Sequence, residues 1–183
     1  GVALIARNDG VAYRFELKKP GTVRIDCEKA EVTIPSAEAD CWANFTGAVG
    51  CEETVPRKVV AKDLQTAKDG KSTMFGSSKM IYLPFVYSVQ GKTVAVTESD
   101  VRSYPIWNLT RDEKEEKVEL ESFFARWPKK VHHVGGWGNT NLEKGGRWVK
   151  VDETEDYLVK TAGTRTFPWR TFILADAPAK LCE

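Results

Sequence analysis

Glu98 and Asp100 stand two apart in Leu83–Pro105, LPFVYSVQGKTVAVTESDVRSYP. Residues two apart on an extended chain share a face, so these carboxylates could hold a cation together, and an oxygen-only set suits calcium. Glu98 is the more demanding of the two. Val94, Val96 and Glu98 fall on one face of a strand, and Thr93, Ala95 and Thr97 on the other. A lone carboxylate buried beside two valines costs several kcal/mol unless it is paired or metal-bound. Three readings stay open: the strand ends or bulges at Glu98, Glu98 is salt-bridged to Arg102, or the carboxylate serves a metal.

Other chemistries find less support. A nucleophilic hydrolase needs a base, and the two histidines, His132 and His133, are adjacent in the Gly-flanked loop VHHVGGWG. Side chains of neighbouring residues on an extended chain point to opposite faces, so the two do not chelate together. Gly135–Gly138 has no helix signal after it and no GKS/T, which excludes a phosphate loop. Cys27, Cys41, Cys51 and Cys182 lack CxxC spacing, which argues against zinc. Cys41 and Cys51 could bridge a loop in an oxidising compartment, or stay free buried thiols. Asn44-Phe-Thr and Asn108-Leu-Thr fit the glycosylation triplet, a pattern too short to carry weight. Six tryptophans raise a carbohydrate platform: Trp42, Trp107 and Trp137 adjoin loop signals and are the candidates to stack on sugar rings. Trp148 and Trp169 lie in strand patterns and belong to a core.

The elements that would position these residues are strands. Val11, Tyr13, Phe15 and Leu17 alternate with Ala12, Arg14 and Glu16 after the turn Asn8-Asp9-Gly10. Thr22–Cys27, with Val23, Ile25 and Cys27 inward, and Glu31–Ile34 repeat the pattern. Phe85–Val89 and Lys92–Thr97 flank Gln90-Gly91, a two-residue hairpin turn. Further strands are predicted at Arg147–Val151, Tyr157–Thr161 and Trp169–Ala175, the last placing Arg170, Phe172 and Leu174 on one face. Arg57–Ser78 reads as a long exposed connection and Lys129–Gly146 as an irregular loop. Arg111–Trp127 fits either a helix, through Leu120, Phe123, Phe124 and Trp127, or a strand through Val118 and Leu120. Many short alternating runs with turns between them predict an all-β, antiparallel sandwich.

At 183 residues the chain holds one well-cored domain, residues 1–183. A net charge of +1, with acids and bases interspersed, gives no electrostatic footprint for nucleic acid or an anionic membrane. No apolar run approaches the length of a membrane span. Gly1–Ala6 lacks the features of a signal peptide, and Val2–Ile5 reads as a strand entered midway.

Three stretches occur in order: GVAYRF (Gly10–Phe15), LPFVYS with VTESDVRSYP (Val96–Pro105), and VKTAGTRTFPWRTFILAD (Val159–Asp176). Together they resemble the N-terminal β-super-sandwich domain, galactose-mutarotase-like, of glycoside hydrolase family 97, bacterial α-glucosidases and α-galactosidases. The resemblance implies a fragment of a three-domain enzyme, truncated at the N-terminal end of the sandwich and ending before a (β/α)8 barrel. It implies that the acid and the base or nucleophile lie in that barrel, leaving this domain non-catalytic. It implies too that Glu98, the glutamate of the TESD-like motif, is one ligand of a calcium ion shared with barrel carboxylates. Ile106-Trp107 departs from the small residue that many members have after Tyr-Pro, which bears on the shape of the neighbouring pocket. The implied partners are the barrel of the same chain and its oligosaccharide substrate, in a periplasmic or secreted bacterial setting. Calcium is not expected to bind tightly to the fragment alone, and apolar surface left by a missing barrel would favour self-association. The alternative is a carbohydrate-binding module using exposed tryptophans, Trp107 and Trp137 foremost.

Overall fold

The computed structural model describes residues 1–46, 55–64, 80–111, 118–134 and 148–182. Thirteen strands run through them: β1 (Val2–Arg7), β2 (Gly10–Ile25), β3 (Val32–Ile34), β4 (Asp40–Thr46), β5 (Arg57–Val60), β6 (Met80–Val89), β7 (Lys92–Ser99), β8 (Asn108–Arg111), β9 (Val118–Phe123), β10 (Pro128–Val134), β11 (Trp148–Thr154), β12 (Val159–Thr166) and β13 (Trp169–Ala175). Short 3₁₀ turns occupy Ala61–Asp63 and Pro178–Cys182. Every strand pairing is antiparallel. No described helix is long and apolar enough to cross a membrane.

Two long strands make the sheet curl into a sandwich. β2 pairs with β1 and β13 along Gly10–Phe15, then with β12 along Glu16–Ile25. Its change of partner falls near a register shift, where Gly163 lies so close to β2 that a Cβ there would sit 2.5 Å from the Lys19 carbonyl oxygen. β6 pairs with β8 through Ile81 and Tyr82, and with β7 through Phe85–Val89, while β4 runs along both parts. The path β1-β2-β13-β7-β6-β8-β9-β3 therefore folds back on itself. Between its faces lie Phe85, Ile81, Val96, Trp107, Leu109 and Leu120, all essentially without solvent contact.

The predicted turns are present. Asn8-Asp9 joins β1 to β2 with Arg7 opposite Gly10. Gln90 and Gly91 both adopt positive φ, 53° and 74°, which suits the right-handed twist of the hairpin strands. Other expectations need correction. Thr22–Cys27 is the second half of β2, which stops at Ile25 and leaves Cys27 exposed. Arg57–Val60 is a strand edging β4, and Ala61 and Leu64 after it are fully buried. In Arg111–Trp127 the strand reading holds, because Val118 and Leu120 point inward from β9. Pro128–Val134, expected as loop, is β10, which pairs only with β11 among the described strands; residues 135–147 lie outside the described set.

Candidate functional site

The hairpin turn at Gln90-Gly91 sends β7 back across the sheet, and β13 lies beside it in a register that sets Arg170 directly opposite Glu98. On the other edge of β13, Arg170 faces Tyr13 of β2. One row across three strands thus reads Tyr13, Arg170, Glu98, all on one face because directly opposed residues share it. The parity that makes Glu98 anomalous in sequence makes Arg170 anomalous too.

Arg170 is 1% exposed and spends its donors on two carboxylates. Its Nε and Nη2 donate to the two oxygens of Glu28 at 2.9 and 3.0 Å, a two-pronged fork. Its Nη1 donates to Glu98 Oε2. The other Glu98 oxygen accepts the Trp107 backbone N–H at 2.9 Å. Aromatic rings bracket the guanidinium, with the Trp107 and Phe124 ring centres 5.3 and 5.1 Å from Cζ. Phe172 meets the Trp107 ring edge-on.

Glu28 lies between β2 and β3 and is fastened from β9. The Ser122 hydroxyl donates to the Glu28 carbonyl at 3.2 Å and accepts the Ala30 N–H at 3.1 Å. Burial pushes the Glu98 carboxyl up from its ordinary value, while the Trp107 N–H and the Arg170 charge pull against that rise. Burial also raises the Tyr104 and Tyr13 phenols; the negative charge of Glu28 adds to the rise and Arg170 opposes it. With both acids ionised, the cluster carries one net negative charge in a nearly dry setting.

The nearest cleft of size, about 590 Å³, is walled by Phe15, Leu17, Ile25, Tyr104 and Phe167, and touches the cluster at Glu28 and not at Glu98.

Several expectations change on this geometry. Glu98 is paired with Arg170 and not with Arg102, which binds Asp100 at 2.8 Å on the surface. The chain turns sharply there, with Asp100 and Ser103 at φ 58° and 49°, so the period of two ends with β7 and the Glu98/Asp100 pair does not persist. Trp107, expected as an exposed platform, is 1% exposed with its ring against Arg170 and Phe172; the loop signals beside it mark a segment that folds inward. Trp137 lies outside the described residues. Trp42 is half-buried under Lys58, and Trp169, assigned to the core, is half-buried with Arg14 over its ring. His132 and His133 lie on β10, where His132 meets Asp152 at 2.7 Å. Cys41 is a free, fully buried thiol, and Cys51 lies outside the described residues.

Sequence reading alone does not single out Arg170 or Glu28 as members of this cluster. The alternation that marks Glu98 also puts Arg170 on the same face as Phe172 and Leu174, so the same test points to Arg170. Glu28 has no periodic neighbours and gives no signal.

A carboxylate oxygen offers two lone pairs. Among the described residues Glu98 accepts one donor on each oxygen, which leaves each an acceptor position, and its side chain is still 10% exposed. The residue therefore fits a calcium ion as one ligand of several. Among the described residues no group of three or more His, Cys, Asp or Glu side chains gathers to complete such a site.

A family model described as Glycosyl-hydrolase 97 N-terminal matches residues 1–183. The retaining alpha-galactosidase of Bacteroides thetaiotaomicron is 29% identical over 175 residues, which is 92% of this chain and 24% of that protein. A glycoside hydrolase family 97 enzyme from Pseudoalteromonas sp. strain K8, solved in complex with acarbose, shares the fold with a TM-score of 0.61 at 17% identity. That match covers 96% of this chain and 21% of the enzyme. A variant of that enzyme in complex with panose gives 0.65 at 17% identity, over 100% of this chain and 22% of the other. The chain thus spans about a quarter of the length of the relatives it matches, or less.

Proposed function

The chain belongs to the Glycosyl-hydrolase 97 N-terminal family, and on that premise we propose that it is the non-catalytic sandwich domain of an α-glycoside hydrolase, contributing Glu98 as one ligand to a calcium ion at the boundary with the catalytic barrel. The observation that carries the reading is Glu98 itself. A buried acid at a strand end is held by a main-chain N–H and a guanidinium, and among the described residues each of its oxygens accepts only one donor. Calcium needs six to eight oxygens, so the remainder would come from barrel carboxylates and water.

The electrostatics favour the same arrangement. With both acids ionised, two carboxylates and one guanidinium leave a net negative charge in a site of low dielectric, which a divalent cation at Glu98 would offset. When bound, calcium supplies Lewis-acid polarisation and orients sugar or water. The domain's own part is to deliver an oriented carboxylate and exclude water behind it with Trp107, Phe124 and Phe172. One relative named above is a retaining alpha-galactosidase and another is solved in complex with acarbose and, as a variant, with panose; an α-linked oligosaccharide substrate is the proposal for the parent enzyme.

The decisive measurement compares the parent enzyme with its Glu98→Gln variant by calcium titration and by turnover of p-nitrophenyl α-galactoside and α-glucoside. The expected result is weaker calcium binding and a loss of turnover that added calcium partly restores. Calcium affinity and turnover equal to those of the unmodified enzyme overturn the ligand assignment. The 183-residue chain should show no turnover, and reproducible hydrolysis by it would overturn the non-catalytic role.

A further inference from the structure

We propose that Arg170 is the positioning residue of Glu98, and that Glu28 sets Arg170; this rests on the reading of Glu98 as a calcium ligand. The Arg170 guanidinium is planar. Its donors lie in one rigid plane, so fixing two of them fixes the third. The Glu28 fork takes Nε and Nη2, and the plane then leaves Nη1 aimed at Glu98 Oε2. Rotation of that plane is resisted by the Trp107 and Phe124 rings.

Glu98 is consequently gripped at both oxygens from two elements. Arg170 comes from β13, and the Trp107 N–H from the segment leading into β8. The same Trp107 that donates its N–H also lays its ring against Arg170, so the two grips are one assembly. Behind it, Ser122 of β9 pins the Glu28 backbone. A line of contacts thus runs from β9 through Glu28 and Arg170 to the carboxylate that faces the metal. Groups that hydrogen-bond a ligating carboxylate orient it, and losing them weakens metal binding without removing a ligand.

A different explanation is available for a buried arginine between two acids, namely simple charge balance. The two separate cleanly. Lysine supplies the same charge, but a single ammonium cannot hold a fork and a third carboxylate oxygen in one plane. Under charge balance Arg170→Lys restores function, and under positioning it does not.

The test uses the parent enzyme for calcium affinity, measured by chelator competition, and the 183-residue chain for hydrogen exchange at the Trp107 amide. Three variants are compared: Arg170→Lys, the double variant Arg170→Met with Glu28→Gln, and Glu98→Gln. The double variant removes one charge of each sign and so leaves the net charge of the cluster unchanged. Its calcium affinity is expected to fall about tenfold or more, with Arg170→Lys recovering less than half of that loss on a logarithmic scale. The Trp107 amide should exchange faster in both Arg170 variants, relative to the amides of β6 and β7, which report global stability. If the double variant does not fold, Arg170→Lys alone carries the test. Unchanged calcium affinity in a folded Arg170 variant, or full recovery with lysine, overturns the positioning role. If Glu98→Gln binds calcium like the unmodified enzyme, the ligand reading has failed; weakened binding there with none in the Arg170 variants means that positioning alone has failed.

Discussion

Two nitrogen–carboxylate contacts of this protein lie in opposite settings. In the sandwich, Arg170 lies between Glu28 and Glu98 with 1%, 6% and 10% of these side chains exposed. In the β10–β11 ribbon, His132 meets Asp152 at a similar distance, but with 47% and 30% exposed. The ribbon also leaves Val131, Val149 and Val151, on its other face, about half exposed. The difference lies in desolvation and not in bond length. Charges in the sandwich have given up water and depend on one another, whereas the ribbon pair is screened and its partners could separate at little cost.

Removing the Arg170 charge is the strongest challenge to this contrast. Arg170→Met leaves two buried carboxylates facing each other, and a loss of about 3–5 kcal/mol is expected by urea denaturation of the 183-residue chain. A loss below about 1 kcal/mol would place the sandwich cluster in the same class as the ribbon pair.

A second test reads the dryness of the sandwich without touching the cluster. Burial, aided by the Asp40 charge, pushes the Cys41 thiol from 9.0 up to about 12. The pKa in the folded chain is raised, so the stability that the neutral thiol contributes is intact below about pH 9 and drains away as pH rises toward 12. Urea midpoints of the native chain should therefore fall more steeply above pH 9 than those of Cys41→Ala. At about pH 8 a thiol-specific disulfide reagent should modify exposed Cys27 quickly, and Cys41 only on unfolding. Equal rates for the two thiols would contradict a dry interior.

The smallest effect belongs to the ribbon. Asp152→Asn should cost less than about 1 kcal/mol by urea denaturation. A larger loss would show that the ribbon pair is less solvated than its exposure indicates.

The contrast also explains what could be read in advance. The alternation over Val94, Val96 and Glu98 marked a misplaced acid, because period two follows from strand geometry alone. Of the readings that sequence leaves open, the pairing with Arg102 is the one the fold excludes: Arg102 is four residues away but lies beyond the turn at Asp100, where it binds Asp100. Arg170 is seventy-two residues away, and only the pairing of β13 with β7 brings it opposite. Trp107 looked exposed because Pro105 and Asn108 flank it. The fold turns that segment inward, where its N–H and its ring both serve the cluster. β10 was hidden by the glycines that follow it, and Ala61 and Leu64 by the polar residues around them.

Local pattern therefore determined the class of this protein: antiparallel strands, their hairpin turns, one anomalous carboxylate and the family whose motifs it shares. Those features depend on residues within a few positions of each other, which sequence records directly. The tertiary structure decided which charge meets which. Glu28, Glu98 and Arg170 sit in three distant segments, and their contact exists only because the sheet curls and removes all three from water at once.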